Sequence, residues 1–430
     1  MTHHIAPPPV VLVLVDVDVN TRPVSAHAIR LVIRARHRST RAMTQPIASS
    51  SSSSSSSFVR SSSSSRSTSS GVRWTRALGR GGRARRASLA NVTPDEDPTY
   101  VYEFDSSTGN DVKVLSQRTA RCAIGDGVEM SYRIGVPDAR ATRNAGSETR
   151  ATKVVFVHGL GGCAYGFRDV MRFMQERGYV TVAFDVIGHG SSSKPMSGKG
   201  AAAYDGESVG LALSGFLKAT GLDAAPVDLV VHGYVIPQYV LLFMAKNPRY
   251  FRRVVVMNTP LTAAHAYPPQ MATFTRPFGM GKGAPFDAAG YLYNGNEFAL
   301  SPEVLGEYTK PYVGAEAEAA RAAVEAYVTK ASDLKKLTKD VAAALQTRGL
   351  PKIRVIWGTA DRYLEDASIY DWCSDVRASF SAARKVGHMP HEDFAAETAA
   401  RIADFLGSDL KVSALSSVRV GKITSDDGQG

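Results

Sequence analysis

From residue 151 onward the chain alternates short β-branched apolar runs with longer stretches of helical spacing. A mostly parallel sheet covered by helices on both faces requires this pattern. Buried strands are expected at 152–157, 179–184, 227–231 and 253–257, with two more at 353–357 and about 379–386. Helices are expected at 165–177, at 205–220 ending on Gly221, at the strongly apolar 236–246, and at 394–406, an amphipathic closing helix. Ahead of the sheet, 113–137 reads as two antiparallel edge strands turning at Gly125-Asp126-Gly127. No internal repeat is visible.

Between Pro260 and Pro351 the strand rhythm stops. A Pro-, Gly- and Phe-rich stretch, 267–290, is followed by helical spacing at 302–308, 315–329 and 332–347. An insertion at the carboxyl edge of a parallel sheet sits over the crevice where ligands bind, so it is expected to form a helical cap. The expected organisation is a core in two parts, 95–261 and 351–407, a cap at 262–350, and a flexible tail at 408–430.

The first 94 residues differ in kind. Between Val19 and Pro94 there is no Asp, Glu or Lys, but there are 14 Arg, and nine serines run from Ser49 to Ser57. Such a stretch cannot offset its ordering entropy by apolar burial, so 1–94 is expected to be disordered. Its composition is that of an organelle transit peptide, and the expected location is the chloroplast, in the stroma or peripheral to the thylakoid. Met43 opens a more typical import sequence than Met1, so 1–42 is expected to be an upstream extension, with cleavage near 86–95.

Charge follows the same division. Removing the +14 of that stretch and the −2 of Asp16 and Asp18 from the formal +11 leaves −1 for Asp95 onward. Nucleic-acid binding needs basic charge clustered on a folded face, so no nucleic-acid partner is expected. No stretch approaches the roughly 20 apolar residues of a membrane span. Cys122, Cys163 and Cys373 lack C-x-x-C spacing, so neither a disulfide framework nor a metal site is expected.

Candidate chemistry gathers at the expected strand ends. His158-Gly159-Leu160-Gly161-Gly162 follows the first parallel strand, and glycines there allow backbone N–H groups to face a cavity, as in an oxyanion hole. The next strand ends in a second glycine turn, Asp185 through Ser192. A third enters His232-Gly233-Tyr234-Val235-Ile236, where the G-x-S-x-G elbow pattern would put its nucleophile. The central residue is Gly233, and Val231 and Val235 stand in place of the flanking glycines. Glycine tolerates positive φ, so such a turn can persist without a nucleophilic atom. Asp361 follows a later strand and His388 comes 27 residues after it, in the order acid then histidine. A carboxylate there would fix the imidazole tautomer and stabilise imidazolium. His391 is expected at the surface where a helix begins, and Cys163 lies outside the elbow.

Together these residues, with Asn258-Thr259-Pro260, resemble the α/β-hydrolase superfamily on its haloalkane dehalogenase and epoxide hydrolase side, over about 128–407. Residues 229–234 and 257–262 are similar to a group of plant and algal plastid hydrolase-like proteins that also carry Gly at the elbow. The resemblance implies an α/β-hydrolase fold, oxyanion roles for the N–H groups of Leu160 and Tyr234, an acid role for Asp361 and a base role for His388. No cofactor is expected. With Gly233 at the nucleophile position, the expectation is an atypical or catalytically degraded hydrolase that binds a small apolar ligand or a protein partner. The alternative is a cofactor-free hydrolase or lyase using Asp361 and His388 as a general base.

Overall fold

The computed structural model describes residues 98–105, 108–145, 152–196, 203–275 and 284–407. The proposed transit region at 1–94 and the tail at 408–430 lie outside the described residues. Ten strands are described: β1 (Thr99–Asp105), β2 (Asn110–Ser116), β3 (Arg118–Gly125), β4 (Val128–Gly135), β5 (Lys153–Val157), β6 (Val180–Phe184), β7 (Val227–His232), β8 (Phe251–Met257), β9 (Lys352–Gly358) and β10 (Ser379–Ala383). β3 through β10 form one sheet in the order β10-β9-β8-β7-β5-β6-β4-β3. β5 through β10 run parallel, while β4 and β3 add an antiparallel edge.

Successive residues of a strand face opposite sides, and here both sides are buried. In β5, Val155 and Val157 enter one hydrophobic core, and Val154 and Phe156 enter the other. Helices Gly206–Thr220 and Ile236–Lys246 cover the first face, and Arg168–Gln175 and Ala395–Leu406 cover the second. Local chemistry sets their ends. Asp205 caps the Gly206–Thr220 helix by accepting the Ser208 N–H at 2.9 Å, and Gly221 ends it at φ 73°. The chain moves outward from β5 to β6, then crosses back to β7 on the other side of β5. That reversal opens a crevice beyond the carboxyl ends of β5 and β7, the place where open α/β sheets bind ligands.

The expected strand positions are observed, and the two edge strands turn at Gly125, Asp126 and Gly127, all with positive φ. Two differences stand out. β1 and β2 form a separate antiparallel hairpin, of which only residues 113–116 fell within the expected edge strands. The Pro/Gly/Phe-rich stretch contains a one-turn helix, Pro269–Ala272, and runs into a second helix, Ala288–Gly295, which precedes the cap helices Pro302–Thr309, Ala317–Lys330 and Leu334–Leu345. No helix among the described residues is long and apolar enough to cross a membrane.

Gln175 joins hairpin, sheet and helix. Its buried amide donates to the Ser116 and Val136 carbonyls, each at 3.0 Å, and its oxygen accepts from Gln117 at 3.0 Å. Gln175→Met keeps the volume but leaves those groups without their partner, which should cost about 2–4 kcal/mol of folding stability. Urea unfolding measures this, and a loss below about 0.5 kcal/mol, the scale of an inert surface change, would contradict the assignment.

Candidate active site

Each candidate residue is held by a strand end. His158, at the end of β5, engages both ring nitrogens with backbone: Nδ1 donates to the Gly159 carbonyl at 2.8 Å, and Nε2 accepts the Val186 N–H at 3.0 Å. The ring is therefore the neutral Nδ1–H tautomer bracing β5 against β6, and burial lowers its pKa accordingly. Gly159 is fixed by space, since a Cβ there would lie 2.5 Å from the Tyr234 nitrogen. After β6, Asp185 accepts from the Ala164 and Ser191 N–H groups at 2.7 and 2.8 Å, which builds the second glycine turn.

At the end of β7, Gly233 has φ 91°, and a Cβ there would meet only Gly159 within 4 Å, its Cα at 3.2 Å and its nitrogen at 3.5 Å. Two residues on, Val235 has φ 63° and ψ −60°, and the Ile236 N–H donates to the Tyr234 carbonyl at 2.8 Å. This is the rare strained form of the γ-turn, at a β-branched residue. Gln238 holds it by accepting the Val235 N–H at 2.9 Å while donating to the Pro260 carbonyl at 2.9 Å. The turn aims the Tyr234 carbonyl at Leu160, whose N–H donates to it at 3.1 Å. One of the two amides for which the resemblance implied an oxyanion role is thus engaged within the protein.

Asp361 follows β9 and His388 follows β10, and their side chains meet: His388 Nδ1 donates to Asp361 Oδ2 at 2.8 Å. Asn258 Nδ2 donates to the same oxygen at 2.7 Å, and the Tyr363 and Leu364 N–H groups bind the other at 2.7 and 3.1 Å. Burial alone would raise the Asp361 carboxyl, but the imidazole and these donors outweigh it and hold it below the ordinary carboxylate range. His388 is wholly buried, with its N–H donating to the Gly295 carbonyl at 2.8 Å and its carbonyl accepting from His232 Nε2 at 2.7 Å.

The group facing His388 Nε2 comes from the cap. The Tyr291 hydroxyl lies 3.1 Å from it, and the Tyr291 ring stacks on Tyr363 at 5.5 Å between centroids. In the neutral imidazole whose Nδ1 proton faces Asp361, Nε2 accepts and Tyr291 donates. Burial pushes the Tyr291 hydroxyl well above its usual pKa, with Tyr363 adding to the effect, so it remains a donor. Tyr363 in turn donates to the Tyr291 carbonyl at 2.7 Å. The space left among His158, Leu160, Cys163, His232 and Tyr291 is about 10 Å³, room for one water at most.

Sequence reasoning missed Tyr291 and gave no role to Asn258, which holds Asp361, or to the histidines behind the site. His391, expected at the surface, is buried, with its ring 4.4 Å from His232 and 4.9 Å from Phe167. The Arg168–Glu392 ion pair at 2.7 Å draws its short helix, Pro390–Asp393, onto the core. A signal existed for Tyr291: Asp287 is a helix cap, accepting the Gly290 N–H at 2.9 Å. Among the described residues no group of three or more His, Cys, Asp or Glu could hold a metal ion. Cys163 is buried beside the first glycine turn, and burial pushes its thiol up to about 12.

A family model described as the alpha/beta hydrolase family matches residues 154–401, from β5 into the closing helix. The chain belongs to the alpha/beta hydrolase family. Among solved structures it is similar to the haloalkane dehalogenase DbeA from Bradyrhizobium elkani, with a TM-score of 0.53 and 16% identity over 69% of this chain and 99% of that one. It is likewise similar to the haloalkane dehalogenase DatA from Agrobacterium tumefaciens, with a TM-score of 0.52 and 17% identity over 68% of this chain and 97% of that one. At such identities the likeness concerns the fold. No curated protein gives a significant sequence match.

Imidazole is concentrated in the interior of this α/β-hydrolase-fold chain. All six histidines among the described residues are buried, and five of them, His158, His189, His232, His265 and His391, have pKa values lowered first by burial, that of His232 to about 3. The unfolded chain therefore binds more protons than the native state once pH drops below about 6.5, the ordinary histidine value. Asp361, held low, adds the same sign in the acid range. Stability should be full above that pH and fall as pH decreases, by up to about 1.4 kcal/mol per pH unit for each proton taken up. Urea midpoints between pH 8 and pH 5 measure this, and a constant or rising midpoint on acidification would contradict it.

Proposed function

We propose that the chain is a plastid α/β-hydrolase-fold protein that has lost covalent hydrolysis and binds a small apolar ligand, or a protein partner, beneath its cap. The observation that carries this reading is the hydrogen bond from the Leu160 N–H to the Tyr234 carbonyl, beside a Gly233 that offers no side chain. An acyl- or alkyl-transfer site needs a nucleophile and free amides aimed at the developing oxyanion. Here the elbow supplies no reactive atom and its own carbonyl takes up one amide. Loss of the nucleophile from a serine-type triad costs about a million-fold in rate, leaving only what binding and the oxyanion hole contribute. A ligand reaching His388 must displace the Tyr291 hydroxyl, which the Ala288–Gly295 helix carries.

One observation favours a second reading. The Asp361–His388 pair is intact and continues to Tyr291, a chain able to move a proton without a covalent intermediate. The enzyme would then be a cofactor-free hydrolase or lyase acting through a general base.

Two measurements decide. Incubation with a fluorophosphonate probe should leave the intact mass unchanged, and a stoichiometric adduct, on Tyr291 or elsewhere, would overturn the first reading. Turnover of an ester, epoxide or proton-transfer substrate that His388→Ala abolishes would establish the second. Gly233→Ser should not create an esterase, because Leu160 remains engaged. It should also destabilise the fold by about 1–3 kcal/mol through its positive φ, and esterase activity in that variant would show that the amides are free.

A further inference from the structure

We infer that the antiparallel edge of the sheet forms a second binding site, for a phosphomonoester carried on an aromatic or apolar body. In the β3–β4 ladder Thr119 is paired with Arg133, and Arg121 with Ser131. Directly opposite residues, and residues two apart, share a face, so these four side chains form one patch, two guanidiniums on one diagonal and two hydroxyls on the other. The patch walls an open cavity of about 360 Å³ that is also lined by Tyr165, Pro311 and Val313. That volume lies within the range of small-molecule sites.

Hydrogen-bond partners single out the recognition groups. Arg121 is engaged with Glu129 at 3.4 Å and with the Ser191 carbonyl. Lys310 pairs with Glu307 at 3.6 Å, and Glu316 with Lys194 at 2.8 Å. Asp185 also borders the cavity, but its two oxygens take backbone N–H groups. Arg133 has no carboxylate partner among the described residues, and its guanidinium lies 5.0 Å from the Tyr165 ring centroid. The Thr119 and Ser131 hydroxyls likewise lack a protein partner among the described residues.

A planar carboxylate would be satisfied by the Arg133 fork alone. A tetrahedral oxyanion presents further oxygens that match the two hydroxyls, so the donor set fits phosphate better. The aromatic and apolar wall beside Arg133 then takes the body of the ester. Cys163 lines both this cavity and the small space at His388, so the two sites are neighbours without sharing their recognition groups.

Calorimetric titration of the full chain at low salt with phenyl phosphate, inorganic phosphate and benzoate tests the site. Phenyl phosphate should bind saturably and more tightly than either other probe. Arg133→Gln should weaken it by about tenfold or more, the value of a charge-assisted hydrogen bond, with an unchanged thermal midpoint. Thr119→Val should weaken phenyl phosphate but leave benzoate unaffected, and His388→Ala should change neither. Absence of saturable phenyl phosphate binding, equal binding by Arg133→Gln, or benzoate binding as tight as phenyl phosphate would overturn the inference. Inorganic phosphate binding as tightly as its phenyl ester would remove the organic body from it.

Discussion

At the switch point of the sheet the backbones of Gly159 and Gly233 lie against each other with no side chain between them. A Cβ on the first would fall 2.5 Å from the Tyr234 nitrogen, and a Cβ on the second would fall 3.2 Å from the Gly159 Cα. That approach lets the strained turn at Val235 point a carbonyl at Leu160 and close the two loops with a hydrogen bond. In an acyl-transfer enzyme the same place must keep its amides open for a charge that appears only during reaction. Here the backbone has satisfied itself, so the ground state gains a hydrogen bond where a transition state would need one.

The same self-sufficiency extends to the imidazole. His388 is held through Nδ1 by Asp361, through its N–H by Gly295, through its carbonyl by His232 and through Nε2 by Tyr291. Asp393 strengthens the join, its carboxylate accepting from Gly387 at 2.6 Å and from Glu297 and Phe298 in the cap at 3.1 and 3.3 Å. Cap and histidine loop therefore behave as one packed unit. Any motion that admits a ligand must break several hydrogen bonds that have few replacements in an apolar interior.

Much of this was legible in the sequence because local rules and tertiary packing agree there. Continuous β-branched runs mark strands buried on both faces, and Asp205 with Gly221 brackets a helix by capping chemistry. Asp361 and His388 could be anticipated because each sits just past a strand, where the topology forces them to one edge. Tyr291 was missed because it directly follows an irregular Pro/Gly/Phe-rich stretch and, although Asp287 marks a helix start there, its role comes from a contact 97 residues away. The engagement of Leu160 is equally invisible in sequence, since it depends on the direction of one peptide plane at Val235. His391 was misplaced because its polarity suggests solvent, whereas the neighbouring Glu392 pairs with Arg168 and carries it inward.

The central claim, a histidine already satisfied by a tyrosine beside the Gly233 turn, is tested most directly by nitrogen NMR of the 15N-histidine-labelled protein near pH 8. The account expects His388 as the neutral Nδ1–H tautomer, with its Nε2 resonance shifted by an accepted hydrogen bond that Tyr291→Phe removes. An Nε2–H tautomer, or an Nε2 resonance unchanged by Tyr291→Phe, would contradict it.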